Sequence, residues 1–117
     1  MAIKRIDVGA RMSQAVVHNG TVYTAGQVAL RAPGASITEQ TRDILARIDE
    51  LLAEAGSDKS KLISATIWLT DMRDFAEMNK VWDAWVSPGN TPCRACVESR
   101  LAAQQFNVEI GVIAAAG

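Results

Sequence analysis

Apolar and polar residues alternate in several short stretches of the chain, and a period of two predicts β-strands. Three such stretches precede the first helical segment: Ile3 to Val8, Gln14 to His18 and Thr21 to Gln27. Between the second and third stands Asn19-Gly20, the strongest short hairpin signal. The pattern therefore predicts that these two strands pair through a tight turn.

Two other segments repeat their apolar residues at helical spacing. Ser36-Ile37-Thr38-Glu39 fits a capping box at the start of the first, and Gly56 ends it. Asp71 or Asp74 is predicted to cap the second, which stops at Ser87-Pro88-Gly89-Asn90. The predicted buried stripes are Ile44, Leu45, Ile48, Leu51, Leu52 and Ala55 in the first helix, and Phe75, Met78, Trp82, Trp85 and Val86 in the second.

A fourth strand is predicted between the helices, and two more follow the second helix. Lys61 to Leu69 alternates with Ile63, Ala65, Ile67 and Leu69 on one side and Leu62, Ser64, Thr66 and Trp68 on the other. The last two strands lie within Thr91 to Ile113. The order β-β-β-α-β-α-β-β predicts a single domain over residues 1–117, of the α+β class. Two helices would cover one face of a mixed sheet.

Candidate chemistry lies in the last two strands. Arg94, Cys96, Glu98 and Arg100 share one side of the first, and Asn107, Glu109 and Gly111 share one side of the second. If both strands belong to one sheet, we expect Arg94 and Glu109 on the face without helices, together with Trp68 and Cys96. Arginine offers a planar fork of donors that suits a carboxylate. An ordinary solvated arginine and a solvent-facing glutamate are the alternative.

Composition argues against several function classes. The net charge of −1 gives no basic surplus for nucleic acid. No apolar run approaches the length of a membrane span. Lys4 and Arg5 lead straight into the first strand without a signal peptide, and two cysteines without such a signal indicate a reducing cytosol. We therefore expect a cytoplasmic protein with no nucleic-acid or membrane partner.

The two cysteines, Cys93 and Cys96, form a C-x-x-C pair. Strand residues three apart face opposite ways, so this pair cannot converge on a metal or form a redox centre. With His18 as the only histidine, the chain has neither a zinc ligand set nor a Ser-His-Asp triad. No metal or cofactor is expected.

The same stretch carries a family resemblance. Pro92-Cys93-Arg94-Ala95-Cys96-Val97-Glu98, followed by Val108-Glu109-Ile110, resembles the Arg-Ser-Cys-Val-Glu and Glu-Ile-Glu segments of the RidA family, also called YjgF or L-PSP. Thr24-Ala25-Gly26-Gln27-Val28 resembles its Thr-Ser-Gly-Gln segment, and the match runs from about Arg11 to the C-terminus. The resemblance implies a chorismate-mutase-like fold and a homotrimer with sites between subunits.

The resemblance also implies a reaction: hydrolysis of enamines and imines such as 2-aminoacrylate to 2-keto acids and ammonia, without a cofactor. Arg94 would hold the substrate carboxylate, Glu109 would serve the water and the proton, and the backbone of Cys96 would line the site.

The pocket departs from the family in three places. The usual tyrosine is Met12, an extra arginine, Arg11, replaces a proline beside it, and the serine of the Ser-Gly-Gln segment is Ala25. Two other functions stay open: a module that binds small carboxylates or keto acids without turnover, and a ribonuclease. The neutral charge and the lack of a histidine pair argue against the ribonuclease.

Overall fold

A single mixed sheet backed by two helices forms the fold in the computed structural model, which describes residues 2–117. The strands are β1 (Lys4–Val8), β2 (Ser13–His18), β3 (Thr21–Thr24), β4 (Leu62–Leu69), β5 (Cys93–Glu98) and β6 (Val108–Ala115). The helices are α1 (Ile37–Glu54) and α2 (Phe75–Trp85), and short 3-10 turns occupy Lys59–Lys61 and Met72–Asp74. The predicted order of elements is confirmed.

The strand order in the sheet is β1-β2-β3-β6-β4-β5. Only β4 and β5 run parallel; every other neighbouring pair is antiparallel. Parallel strands need a crossover connection, and α2 provides it between β4 and β5. As a result, β5 becomes an outer strand of the sheet, beside β4 only.

The hairpin between β2 and β3 is confirmed. Asn19 and Gly20 have φ of 51° and 73°, the left-handed values that this turn requires, and His18 pairs with Thr21. The third strand is shorter than predicted, because it ends at Thr24. Beyond it, Gln27 makes only an isolated bridge with Ile110 of β6. The chain thus leaves the sheet for two residues, a detail that matters for the site.

Most of the core lies between the helices and one face of the sheet. The buried strand residues include Ala65, Ile67 and Leu69 of β4 and Val108, Ile110, Val112 and Ala114 of β6. The predicted alternation of β4 is wrong at the start of the strand, where Ile63 was expected on the buried side: Leu62 is buried and Ile63 is 48% exposed. The register with β6 shifts between Leu62 and Ser64, so the alternation is broken there.

The helix boundaries follow the predicted signals with two exceptions. The Ser36 hydroxyl accepts from the Glu39 N–H at 3.1 Å, but the Glu39 carboxylate pairs with Arg42 at 3.1 Å, so only half of the capping box forms. Gly56 follows α1 with φ of 78°. Asp71 caps the 3-10 turn before α2, and Asp74 stands at the N-cap of α2 without a side-chain bond.

No helix within residues 2–117 covers the opposite face of the sheet. Tyr23 and Val97 stand there with 46% and 43% of their surface exposed, and Trp68 lies beside Val97 in the register of β4 and β5. Within residues 2–117, neither helix combines the length and apolar character needed to cross a membrane. This uncovered face is called the open face below.

Candidate functional site

Arg94 lies on the helix side of the sheet, so its predicted placement on the open face is wrong. The parallel register puts Arg94 beside Ala65 and Cys96 beside Ile67. Both β4 residues are buried beneath the helices, and neighbours in register share a face. Cys96 therefore lies on the helix side as well. Both faces of outer strand β5 are largely exposed, so its own polarity pattern could not indicate which face was which.

The guanidinium of Arg94 is held by three residues of α2. Its Nη1 donates to Asn79 Oδ1 at 2.8 Å. Its central carbon lies 5.3 Å from the ring centroid of Trp82 and 5.9 Å from that of Phe75. Phe75 was predicted to be buried but is 39% exposed, because its ring lies at the surface beside the exposed Arg94 side chain. The side chain of Arg94 is exposed and keeps its other N–H groups available.

The backbone of Cys96 adds a donor on the outer edge of the same strand, β5. The Ser99 N–H donates to Leu69 O at 2.8 Å. This bond shows which residues of β5 direct their backbone groups toward β4. Backbone groups of a strand point alternately to its two neighbours, so those of Arg94, Cys96 and Glu98 point away from β4. No strand of the described chain lies on that side. The Cys96 N–H and the Arg94 fork together suit a carboxylate.

Glu109 lies on the open face, as predicted, beside Trp68 in the register of β4 and β6. Burial raises the pKa of its carboxyl group above the ordinary glutamate value. A Cβ atom placed on Gly26 would stand 2.0 Å from Glu109 Oε2, so the backbone of Gly26 forms one wall of this carboxylate. Such a half-buried acid suits proton exchange with a bound water.

The residues that depart from the family pattern lie toward this same end of the sheet. Gln27 exchanges backbone hydrogen bonds of 2.8 and 3.0 Å with Ile110, next to Glu109. The Gln27 side chain donates to Gln14 Oε1 at 2.9 Å and to Ala25 O at 3.0 Å. Ala25 therefore belongs to the loop that packs against the Glu109 side chain.

Met12 and Arg11 lie in the turn that enters β2. The Gly9 N–H donates to Met12 O at 2.8 Å, and Met12 is 54% exposed. The Arg11 side chain is also exposed and makes no ion pair within residues 2–117. Gln14, two residues beyond Met12, connects this turn to the loop at Ala25.

Arg94 and Glu109 do not meet within one chain. They lie on opposite faces, two strands apart, and three residues apart along the ladder, since Arg94 pairs with Ala65 and Glu109 with Trp68. Strand spacing and rise per residue put their Cα atoms roughly 14 Å apart. The chain thus carries an arginine half-site (Arg94, Cys96, Asn79) and a glutamate half-site (Glu109, Gly26, Ala25).

The cysteines show no metal or redox arrangement. Cys93 lies beside Ser64 and Cys96 beside Ile67, so they face opposite sides, as predicted, and both thiols are free. Burial raises the pKa of the Cys96 thiol, while the charge of Arg94 acts in the other direction. No group of three or more His, Cys, Asp and Glu side chains in the described part of the chain could hold a metal ion.

Comparison with known proteins gives the family. A family model described as endoribonuclease L-PSP matches residues 2–116. The RutC family protein YoaB of Escherichia coli K12 is 46% identical over 115 residues, which cover 98% of this chain and 99% of YoaB. The chain belongs to the RidA (YjgF/L-PSP) family, as the sequence motifs had indicated.

Solved structures agree with this assignment and confirm the predicted α+β fold. NMB1025 of Neisseria meningitidis, a member of the YjgF family, superposes with a TM-score of 0.96 at 48% identity and covers 100% of this chain and 97% of its own. YyfA of Yersinia pestis, from the Rid protein family, superposes with a TM-score of 0.86 at 29% identity, with 97% and 99% covered.

Two residues of the half-sites, Asn79 and Gly26, were not predicted as site residues from the sequence. Asn79 is one polar residue among several on α2, and nothing in its local pattern connects it to β5. Gly26 was included in a motif, but its close approach to Glu109 depends on where the loop meets β6.

Proposed function

We propose that the protein hydrolyses reactive enamines and imines of the 2-aminoacrylate type to 2-keto acids and ammonia, without a cofactor, in the cytoplasm. The observation that carries this proposal is the arginine half-site. There the guanidinium of Arg94 donates to Asn79 Oδ1 at 2.8 Å and keeps its other donors available, on the same outer strand whose Cys96 N–H points away from β4. Membership of the RidA family supports the same substrate class.

The reaction requires little of the protein. Arg94 binds the substrate carboxylate through a bidentate pair of hydrogen bonds, which positions the imine carbon for attack by water. An enamine first becomes an imine, as its terminal carbon gains a proton and its nitrogen loses one. Glu109 then accepts a proton from water as the water oxygen bonds to the imine carbon, and it passes this proton to the nitrogen to give a carbinolamine. Glu109 next takes the proton of the new hydroxyl group and transfers it to the nitrogen, so the carbon–nitrogen bond breaks as the carbonyl forms, and keto acid and ammonia leave. The raised pKa of Glu109 brings the carboxylic acid and carboxylate forms closer to equal population near neutral pH.

A second copy of the chain is needed to bring the two half-sites together. They lie on opposite faces of one sheet, so Arg94 of one copy must meet Glu109 of the next. Such head-to-tail contacts close into a ring, and the family resemblance implies a ring of three. The open face, with Trp68, Tyr23 and Val97, supplies an apolar surface for the contact.

Mixing two nearly inactive variants tests this arrangement. Arg94→Ala and Glu109→Gln are each expected to lose about 99% of the activity or more. If they are denatured and refolded together in equal amounts, about one quarter of the inter-subunit sites regain both residues, and activity returns to that fraction. Each variant refolded alone is the control. Mixtures that stay inactive although mass spectrometry shows mixed trimers would contradict a shared site.

Turnover itself is tested by ammonia release from freshly generated 2-aminoacrylate, compared with spontaneous hydrolysis. Sedimentation equilibrium on the same sample should give a trimer, and a monomer at micromolar concentration would rule out the assembly. A second function has one observation in its favour: the family's tyrosine is replaced by Met12, whose side chain is exposed. Calorimetric binding of 2-oxobutyrate without any ammonia release would identify a keto-acid binding module instead.

A further inference from the structure

We propose that Asn79 is the positioning residue for Arg94 and the reason that the arginine half-site selects anionic over neutral ligands. The proposal rests on the proposed function, because it takes the ligand to be a small carboxylate. Asn79, Trp82 and Phe75 all come from α2, so the arrangement depends on one rigid element and not on the flexible stem of the arginine.

The three α2 residues form one stripe on the helix. Phe75, Asn79 and Trp82 are spaced four and three residues apart, so they lie above one another on the same side. Trp82 is only 5% exposed and packs against Trp85 with ring centroids 5.4 Å apart, so its ring is fixed in the core. A guanidinium near two aromatic rings is attracted to their faces, and Asn79 then sets its rotation.

Asparagine is an unfavourable choice for this position on local grounds. Residue 79 is in the interior of α2, where asparagine has low helix propensity. Its side-chain oxygen makes one bond, to Arg94. This contact gives a physical reason for a poor helix former in the second turn of an 11-residue helix.

The neutrality of the partner is the second part of the inference. Four arginines, Arg31, Arg42, Arg47 and Arg73, form ion pairs with carboxylates within residues 2–117. Arg94 has no carboxylate within ion-pair distance in that range and is held by an amide oxygen. Its orientation is therefore fixed while its charge stays uncompensated, which leaves the full positive charge for a ligand.

Asn79→Asp tests the inference most directly, because it keeps the shape and adds one negative charge beside Arg94. We expect the affinity for pyruvate, measured by calorimetry on the assembled protein, to fall tenfold or more. The preference for pyruvate over its neutral amide should disappear. Ala84→Asp adds the same charge to an exposed position of α2 and should change neither value. Pyruvate binding by Asn79→Asp at wild-type strength would overturn the proposal.

Asn79→Ala tests positioning without any ligand. In the wild type, ¹⁵N NMR should show slowed rotation about the Cζ–Nη bonds of Arg94, and the variant should show fast rotation with an unchanged fold. KM for the imine should rise more than kcat falls, because the lost contact acts on carboxylate binding. If the wild type binds no carboxylate and releases no ammonia, the proposed function fails. The rotation measurement still decides on Asn79, and equal rotation in both proteins would refute its positioning role.

Discussion

The backbone of Gly26 occupies the space directly against the carboxylate of Glu109: a Cβ there would stand 2.0 Å from Oε2 and 2.9 Å from Cδ. Gly26 does not have a positive φ, so other residues could adopt its backbone conformation, and the need for glycine is one of space. The close wall keeps water from part of the carboxylate. It thereby contributes to the desolvation that raises the pKa of Glu109.

Gly26→Ala should displace this carboxylate and slow turnover with little loss of stability. The atoms that would clash belong to the end of a side chain that can rotate away, so we expect a change of less than about 1 kcal/mol in the free energy of unfolding. Turnover should fall by about tenfold or more, since the displaced acid no longer reaches the water. Ammonia release and thermal melting measure both effects.

Gly111→Ala is the matched control for that variant. A Cβ on Gly111 would lie 3.6 Å from the Cα of Gly26, an ordinary contact, so this variant should melt and react like the wild type. Full activity of Gly26→Ala in a properly assembled protein would show that the position of the Glu109 carboxylate is not critical.

Glu109→Gln should remove the acid limb of the pH–rate profile. The base must be ionised to accept a proton from water, and its pKa is raised, so the wild-type limb should lie above the range of an ordinary glutamate. The variant keeps the shape of the side chain, so carboxylate binding should be retained while kcat falls by about 10²-fold or more. Stopped-flow rates between pH 4 and 8 would check this; a limb that persists in the variant would assign it to another group.

The same substitution should change how stability depends on pH. A carboxyl group whose pKa is higher in the folded state stabilises the fold fully below its unfolded pKa, and it loses that contribution as pH rises through the folded pKa. Glutamine does not titrate, so Glu109→Gln should flatten this part of the curve and be at least as stable as the wild type at pH 7. Thermal melts of the two proteins across that range provide the measurement.

Arg94→Lys should lose most ligand affinity although it keeps the charge. Lysine lacks the planar fork and the geometry that meets both a carboxylate and Asn79. Loss of one charge-assisted hydrogen bond, about 1.5–3 kcal/mol, weakens binding roughly tenfold or more. Calorimetry with pyruvate on the assembled protein measures it, and unchanged affinity and activity would make Arg94 a structural residue.

Arg11→Ala should selectively weaken dicarboxylates. Arg11 is exposed in the turn before β2, a turn that Gln14 connects to the loop at Ala25, and it has no ion pair within the described residues. We therefore expect 2-oxoglutarate to lose several-fold in affinity and pyruvate to lose little. Arg42→Ala removes another exposed positive charge, from α1, as a control. Equal affinities for both acids, unchanged in Arg11→Ala, would make Arg11 an ordinary solvated residue.

The sequence by itself determined the elements of this protein, because their signals are local. Asn19-Gly20 specifies a turn through the φ values that these residues accept, Ser36 and Gly56 bound a helix, and apolar periods distinguish strand from helix. The motifs around Arg94 and Glu109 also sufficed to identify the family. The sequence alone predicts both residues as site candidates, and it predicts the correct face for Glu109.

Only the tertiary structure decided how the candidate site is divided. The alternation of residues along a strand shows which of them share a face. Which of the two faces of β5 packs against the helices depends on its register with β4, and the α2 crossover sets that register. That register carries Arg94 to the helix side and leaves Glu109 on the other, so one chain holds two half-sites. The contacts of Asn79 with Arg94 and of Gly26 with Glu109 join residues 15 and 83 positions apart, a distance at which no local pattern can act.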